Sequence, residues 1–127
     1  MAHLGQDDLP IAEARRIWRG RRLILGKSTH SLAQARRAER EGADYIGVGP
    51  VFRTPTKPGY APVGLKLVRQ VSRSVRIPFV AIGGIDASNV ARVLRAGAKR
   101  VAVVRAVFGA RDTFAASKEL KKVLVAS

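Results

Sequence analysis

Residues 78–104, PFVAIGGIDASNVARVLRAGAKRVAVV, contain two short apolar runs separated by an amphipathic stretch. Phe79–Ile82 and Val101–Val104 are predicted to be buried strands, because each consists of apolar residues only. Between them, Ala87–Ala96 has apolar residues at helical spacing, and Gly97 is a typical residue for ending a helix. Two apolar strands joined by a helix predict a βαβ unit with parallel strands.

The same alternation extends along the rest of the chain. The predicted strands are Leu23–Leu25 and Tyr45–Val48, and the predicted helices are Ile11–Trp18, Ser31–Gly42, Gly64–Ser74 and Thr113–Val125. Met1–Leu4 resembles the end of a further strand. Because the strands are apolar throughout, we expect a parallel sheet covered on both faces. The pattern predicts an α/β fold, with about four complete βα units and a strand stub from a (βα)8 TIM barrel truncated at its amino-terminal end.

Length and composition fit one globular domain spanning residues 1–127, with 46% hydrophobic and 26% charged residues. A closed eight-stranded barrel usually takes ~200–250 residues, so we expect a partial barrel. Cysteine is absent, which excludes disulfides and thiolate metal sites. The sequence shows neither a signal-peptide pattern nor an apolar run near the ~18 residues of a membrane span. We therefore expect a cytoplasmic protein without membrane contact.

The formal charge of +15 comes from 24 Lys and Arg residues against 9 Asp and Glu residues. Such an excess attracts anions, including phosphorylated substrates and nucleic acid. The alternative is a basic, solvated exterior, since the charge is dispersed along the chain. Aromatic residues are only 6% of the sequence and do not alternate with basic residues, which disfavours nucleic acid as a partner.

Residues that follow the strands of parallel βα folds share one face, where ligands bind. Asp7 and Asp8 follow the strand stub, and two carboxylates can hold a hard cation. The same acids would also suit the amino terminus of the next helix. Ser28 belongs to a polar segment, Lys27–Ser31, that can orient a polar ring, although N-capping by Ser31 is the simpler explanation.

The loop at residues 47–59 has the strongest signal for phosphate. Thr54 and Thr56 flank Pro55, which restricts the backbone and presents both hydroxyls in a fixed geometry. Lys57 adds a positive charge suited to phosphate. A purely structural loop has no need for two hydroxyls and an ammonium group together.

A second candidate anion site lies at the last two strand ends. Gly83 and Gly84 follow one strand, and adjacent glycines let backbone N–H groups approach an anion closely. Val104 and Arg105 occupy the end of the other strand, and barrel enzymes often bind phosphate between their last two strands. A tight turn explains the two glycines equally well.

Taken together and in order, these segments resemble thiamine-phosphate synthase. The matching motifs are residues 3–10 (HLGQDDLP), 28–31 (STHS), 45–52 (YIGVGPVF), 54–57 (TPTK), 81–85 (AIGGI) and 101–104 (VAVV). The resemblance covers essentially the whole chain, and the ordered set is specific although each motif alone is not.

The resemblance implies a barrel enzyme of thiamine biosynthesis, a transferase that uses Mg²⁺. It joins hydroxymethylpyrimidine diphosphate to thiazole phosphate and releases pyrophosphate. The implied roles are magnesium binding for Asp8, pyrimidine and diphosphate contacts for Ser28 and Lys57, and thiazole-phosphate contacts for Thr54, Thr56, Gly83, Gly84, Val104 and Arg105. Ser28 and Lys57 are accordingly the candidate catalytic residues.

The chain departs from the family pattern in three ways. Asp7 stands where the family commonly has Glu, and Arg105 stands where it commonly has Ser. The third difference is larger, since the first three βα units of the family are missing. Those units carry a Gln-Leu-Arg-x-Lys segment and an Asn-Asp pair for the pyrimidine diphosphate and magnesium. We therefore expect the isolated chain to have weak or no synthase activity.

Two alternatives remain open from the sequence. The related thiazole tautomerase also uses a histidine at the position of His30, although the 54–57 motif matches the synthase. The second alternative is a non-catalytic barrel fragment that binds phosphates, nucleic acid or a partner chain. Open sheet edges favour association, so a homo-oligomer or a separate N-terminal half-barrel is a candidate partner.

Overall fold

Five parallel strands form the sheet of a computed structural model that describes residues 1–19, 22–55, 59 and 61–126. The strands are β1 (Ala2–Leu4), β2 (Leu25–Thr29), β3 (Tyr45–Val48), β4 (Phe79–Ile82) and β5 (Val101–Ala102). They lie side by side in the order of the sequence. Each crossover therefore moves one position in the same direction, as in the wall of a barrel. The predicted α/β fold of consecutive βα units, with β1 as the stub, is confirmed.

Helices alternate with these strands. They are α1 (Ile11–Ile17), α2 (Leu32–Arg40), α3 (Gly64–Ser74), α4 (Val90–Arg95), α5 (Arg105–Phe108) and α6 (Thr113–Ala126). The short α5 was not predicted. The helix predicted from Ala87 begins instead at Val90, because the preceding residues form a turn bonded by side chains. In that turn, the Asp86 N–H donates to Asn89 Oδ1 (2.9 Å), and the Ser88 N–H donates to Asp86 Oδ1 (2.9 Å).

Strand β2 is where the sequence prediction fails most clearly. Leu23–Leu25 was expected to be the strand, but β2 begins at Leu25 and continues through polar residues to Thr29. These polar groups are satisfied inside the fold, since Lys27 Nζ donates to a backbone carbonyl and Thr29 Oγ1 donates to Gly47 O (2.7 Å). Hydrogen bonding of this kind removes most of the cost of burying polar side chains.

The helices cover only one face of the sheet. In β3, Ile46 and Val48 are fully buried in the core, whereas Tyr45 on the opposite face is half-buried. β4 repeats the alternation, with Ala81 buried and Ile82 39% exposed. The expectation that both faces are covered is therefore wrong for the described chain. Each fully buried Ile or Val contributes roughly 1.5–3 kcal/mol, so the helix-covered face stabilises the sheet.

Asp44 fastens the amino-terminal edge of the sheet. Its Oδ2 accepts hydrogen bonds from the Leu25 N–H (2.8 Å) and from Arg15 (3.0 Å), and its Oδ1 accepts one from Arg22 (3.1 Å). The pKa of Asp44 is lowered, first by the Leu25 N–H and then by the two arginines, against an opposing effect of burial.

None of the helices in the described part of the chain combines the length and apolar character needed to cross a bilayer.

Candidate functional site

A cavity of about 680 Å³ opens at the carboxyl-terminal edge of the sheet, on the face that the helices leave uncovered. The predicted site residues that line it are Ser28, Thr54, Gly83, Gly84, Val104 and Arg105. Asp8 lines a separate cavity of about 100 Å³. Thr56 and Lys57, the other two predicted site residues, lie outside the described residues. The structure thus brings together two loops that the sequence identified as separate anion sites.

The floor of the large cavity consists of strand residues that alternate with the core residues. Val80 and Ile82 of β4 and Ala102 of β5 give it an apolar surface. The ring of Tyr45 lies against the backbone of Gly26, where any Cβ atom would overlap it. Apolar floors with a few polar groups at the rim are typical of small-molecule sites.

The Gly83–Gly84 turn packs tightly against the loop that follows β3. Gly83 and Gly84 have φ values of +105° and +65°, the left-handed region that favours glycine. A Cβ atom at Gly84 would lie 2.7 Å from the carbonyl oxygen of Arg53. The Phe52 N–H donates to the Gly83 carbonyl at 3.0 Å and joins the two segments. This packing requires glycine whether or not a ligand is bound, and it sets the two loops side by side.

Two exposed arginines border the cavity. Arg53 precedes Thr54 in the first loop, and Arg105 begins α5. Asp86 also lines the cavity, but its Oδ1 accepts hydrogen bonds from the N–H (2.9 Å) and hydroxyl (2.5 Å) of Ser88. Two guanidinium groups at the rim favour an anionic ligand. Arg53 was missed by the sequence reasoning, although its position next to Thr54 was an available signal.

Ser28 is one end of a hydrogen-bonded group on three neighbouring strands, with His3 in the middle. Its Oγ is 2.7 Å from His3 Nε2, and His3 Nδ1 is 3.0 Å from the Tyr45 hydroxyl. All three side chains line the large cavity. His3 and Tyr45 were not singled out as site residues. Their side chains face inward because of the strand pleat, which requires a correct strand register to predict.

His30 is held at the rim by the backbone. Its Nδ1 lies 2.6 Å from the carbonyl oxygen of Gly49, the residue that follows β3. This contact connects the ends of β2 and β3, so it gives the imidazole a role in holding the loop.

The acidic loop after β1 is fastened to β2. The Gly5 N–H donates to Asp8 Oδ2 (2.6 Å), and Gln6 Nε2 donates to the Ser28 carbonyl (2.7 Å). Lys27 Nζ donates to the Gly5 carbonyl at 2.8 Å. These contacts place the Asp8 carboxylate beside β2, which is the strand that carries Ser28.

In the described residues, no three His, Asp or Glu side chains are grouped closely enough to hold a metal ion. Asp8 is nevertheless an exposed carboxylate in a loop of fixed geometry. Mg²⁺ commonly binds through one or two carboxylates together with substrate phosphates and water. Asp8 therefore fits as one carboxylate ligand of such an ion.

Residues 1–107 match the family model described as thiamine monophosphate synthase. The thiamine-phosphate synthase of Gloeobacter violaceus is 56% identical over 110 residues, covering 87% of this chain and 32% of that protein. That of Chloroflexus aurantiacus is 50% identical over 123 residues, covering 96% of this chain and 56% of that protein. The solved structure of thiamine phosphate pyrophosphorylase from Pyrococcus furiosus has a TM-score of 0.85 and 43% identity, covering 96% of this chain and 57% of that chain.

The chain thus spans between about a third and a little over half of the length of these relatives. The matched region includes every motif on which the resemblance was based. The motifs, the parallel sheet and the solved relative all indicate the same family. The chain belongs to the thiamine monophosphate synthase family.

Proposed function

We propose that this chain provides the thiazole-phosphate half of a thiamine-phosphate synthase site, together with part of the pyrimidine half. The reaction joins hydroxymethylpyrimidine diphosphate to thiazole phosphate in thiamine biosynthesis and releases pyrophosphate. The observation that carries the proposal is the single cavity shared by Ser28, Thr54 and the Gly83–Gly84 turn. Residues 1–127 act as one partial TIM-barrel domain.

The phosphate of the thiazole substrate is assigned to the rim of the cavity. Thr54 offers a hydroxyl group, and Arg105 offers a guanidinium group next to Val104. Gly83 and Gly84 offer backbone N–H groups that no side chain of their own obstructs. Thr56 is assigned to the same phosphate, although it lies outside the described residues. The apolar floor then accommodates the thiazole ring.

The pyrimidine substrate is assigned to the side of the cavity next to β1 and β2. Ser28 contacts the ring, and Lys57, also outside the described residues, balances the diphosphate charge. Mg²⁺ bound through Asp8 and the substrate phosphates would supply further positive charge for the leaving pyrophosphate.

The chemistry requires positioning more than reactive side chains. The bond between the pyrimidine methylene carbon and the diphosphate oxygen breaks, and the departing pyrophosphate keeps the electron pair. The thiazole nitrogen then forms a bond to the resulting cationic carbon. Holding the two substrates face to face in the cavity supplies the main rate advantage, and no protein nucleophile is needed.

A partner is expected to complete the site. Only one side of β1 and of β5 is paired in the described sheet. Large apolar side chains are exposed in the helices that follow these two strands, including Trp18 at the end of α1 and Phe108 at the end of α5. A separate N-terminal half-barrel, or a second copy of this chain, would cover these surfaces. Phosphorylated small molecules are the proposed ligands, nucleic acid is not, and the proposed location is the cytoplasm.

Calorimetric titration of the chain with thiazole phosphate tests the binding half of the proposal. We expect the phosphorylated thiazole to bind at least about tenfold more tightly than the same thiazole alcohol without phosphate. Thr54→Val keeps the size of the side chain but removes the hydroxyl, so it should reduce this preference. Equal affinity for the phosphorylated and unphosphorylated thiazoles would contradict the proposal.

Turnover by the isolated chain tests the incomplete site. We expect thiamine phosphate formation near background for the purified chain, and a rise when an N-terminal half-barrel of a relative is added. Full turnover by a purified monomer would show that the site is already complete. The tautomerase alternative is not favoured, since the matching family model and the similar proteins are described as thiamine-phosphate synthases.

A further inference from the structure

Three side chains on adjacent strands form one continuous chain of hydrogen bonds in the large cavity. The Tyr45 hydroxyl lies 3.0 Å from His3 Nδ1, and His3 Nε2 lies 2.7 Å from Ser28 Oγ. The rings of His3 and Tyr45 are 5.6 Å apart and inclined by 31°. Tyr45 is itself held in place against the backbone of Gly26. The imidazole is therefore fixed between two hydroxyl groups, one on each side.

A neutral imidazole has one N–H donor and one acceptor nitrogen, so this chain can run in two directions. In the first direction, Tyr45 donates to Nδ1, and the Nε2–H donates to Ser28 Oγ. In the second direction, Ser28 donates to Nε2, and the Nδ1–H donates to the Tyr45 oxygen. In the first direction Ser28 keeps its O–H donor for a ligand, whereas in the second direction it can only accept from a ligand.

Acidity decides between the two directions. A phenol, with a pKa of about 10, is a stronger hydrogen-bond donor and a weaker acceptor than an aliphatic hydroxyl. The combination with the lower free energy therefore has Tyr45 as donor and Ser28 as acceptor toward His3. In that arrangement the hydroxyl proton of Ser28 is not used by His3 and can be directed into the cavity.

We propose that His3 and Tyr45 are positioning residues that make Ser28 a hydrogen-bond donor toward the ligand. This inference rests on the proposed function for the identity of the ligand, a pyrimidine whose ring nitrogens carry lone pairs. A donor at this position can bind the lone pair of an unprotonated ring nitrogen, which a Ser28 hydroxyl that only accepts could not do. The direction of the hydrogen bonds thus contributes to the choice of substrate.

Nitrogen-15 NMR of the imidazole groups tests the direction without any ligand. The chain has two histidines, so the variant His30→Gln leaves a single set of resonances, from His3. We expect Nε2 to be the protonated nitrogen and Nδ1 to be a hydrogen-bonded acceptor. In Tyr45→Phe, which retains the ring over Gly26, the Nδ1 resonance should shift and the fraction of the Nδ1–H tautomer should rise.

Ser28→Ala is the matched comparison, because it removes the other hydroxyl. If Tyr45 sets the direction, this variant keeps the Nε2–H tautomer of His3. A protonated Nδ1 in the wild-type chain, or a tautomer that depends on Ser28 and not on Tyr45, would overturn the inference. Amide spectra of each variant establish that the fold is retained, so a change in His3 reports on the hydrogen bond.

Failure of this inference can be told apart from failure of the proposed function. The NMR experiment needs neither ligand nor turnover, so a reversed tautomer overturns the hydrogen-bond direction and leaves the calorimetric result standing. Conversely, equal binding of phosphorylated and unphosphorylated thiazoles would overturn the proposed function while the tautomer of His3 remains as expected.

Discussion

The ammonium group of Lys27 donates a hydrogen bond to the carbonyl oxygen of Gly5 across 2.8 Å. Lys27 lies in the middle of β2 and is only 7% exposed, although its side chain is charged. Burial of an ammonium group is costly unless the group is hydrogen-bonded, so this hydrogen bond reduces the cost of burying Lys27. It fixes the start of the loop that carries Asp8 to the strand that carries Ser28.

Lys27→Met tests this connection, because methionine keeps most of the apolar stem and removes the donor. We expect the backbone amides of residues 5–8 to exchange with solvent about tenfold faster, as local opening of the loop becomes easier. Hydrogen exchange followed by NMR or mass spectrometry measures the change. Lys66→Met, on the exposed side of α3, is the control and should leave the loop unaltered. Equal protection of the loop in both variants would show that Gly5 is held by other contacts.

Strand β2 is predicted less well from the sequence than the other long elements of the fold. The longer helices were located well because apolar and polar residues alternate at helical spacing, and β3 was located because its residues are apolar, whereas the short α5 was not predicted. β2 was misplaced, because its inner residues are polar and their partners come from β1 and β3. His3 and Arg53 were missed for a related reason. Their importance depends on which strands are neighbours and which way each residue points, and neither fact is local in sequence.

Gly84→Ala is expected to destabilise the chain and to weaken binding of thiazole phosphate. The added Cβ atom would approach the Arg53 carbonyl oxygen to 2.7 Å and would also occupy a left-handed backbone position. Gly64→Ala is a matched control, since Gly64 has φ +74° and no neighbouring heavy atom within 4 Å of the added Cβ. The backbone cost alone is about 1–2 kcal/mol.

Denaturant unfolding should therefore show a larger loss for Gly84→Ala than for Gly64→Ala, and calorimetry should show weaker ligand binding for Gly84→Ala alone. Equal losses for the two variants would mean that the contact between the two loops is not tight in solution.

Arg105→Ser introduces the residue that the family commonly has at this position. Arg105 lies exposed at the rim of the cavity, so its charge is screened by solvent and its contribution is moderate. We expect thiazole phosphate to bind about three- to tenfold more weakly, with a smaller dependence of the affinity on salt. Arg111→Ser changes the net charge equally at a residue that does not line the cavity. Tighter binding by Arg105→Ser would show that the arginine obstructs the phosphate.

Asp44 makes the stability of the chain depend on pH. Its pKa is lowered in the folded chain by the Leu25 N–H and by Arg15 and Arg22, compared with about 3.9 when the chain is unfolded. A lowered folded-state pKa stabilises the fold above the unfolded value, and this stabilisation is lost as the pH falls through the folded value. The wild-type chain should therefore lose more stability on acidification than Asp44→Asn does.

We expect Asp44→Asn to lower the free energy of unfolding by about 1–3 kcal/mol at pH 7, because the hydrogen bond from the Leu25 N–H is weakened and the ionic bonds to both arginines are removed. The difference from wild type should shrink as the pH falls through the folded-state pKa of Asp44, where the wild-type carboxyl group becomes protonated as well. Urea unfolding at several pH values measures this difference. Asp7→Asn removes the same charge at an exposed site, and it should leave the pH dependence of wild type almost unchanged. A difference between wild type and Asp44→Asn that stays constant down to low pH would place its cause in packing and not in the ionised carboxylate.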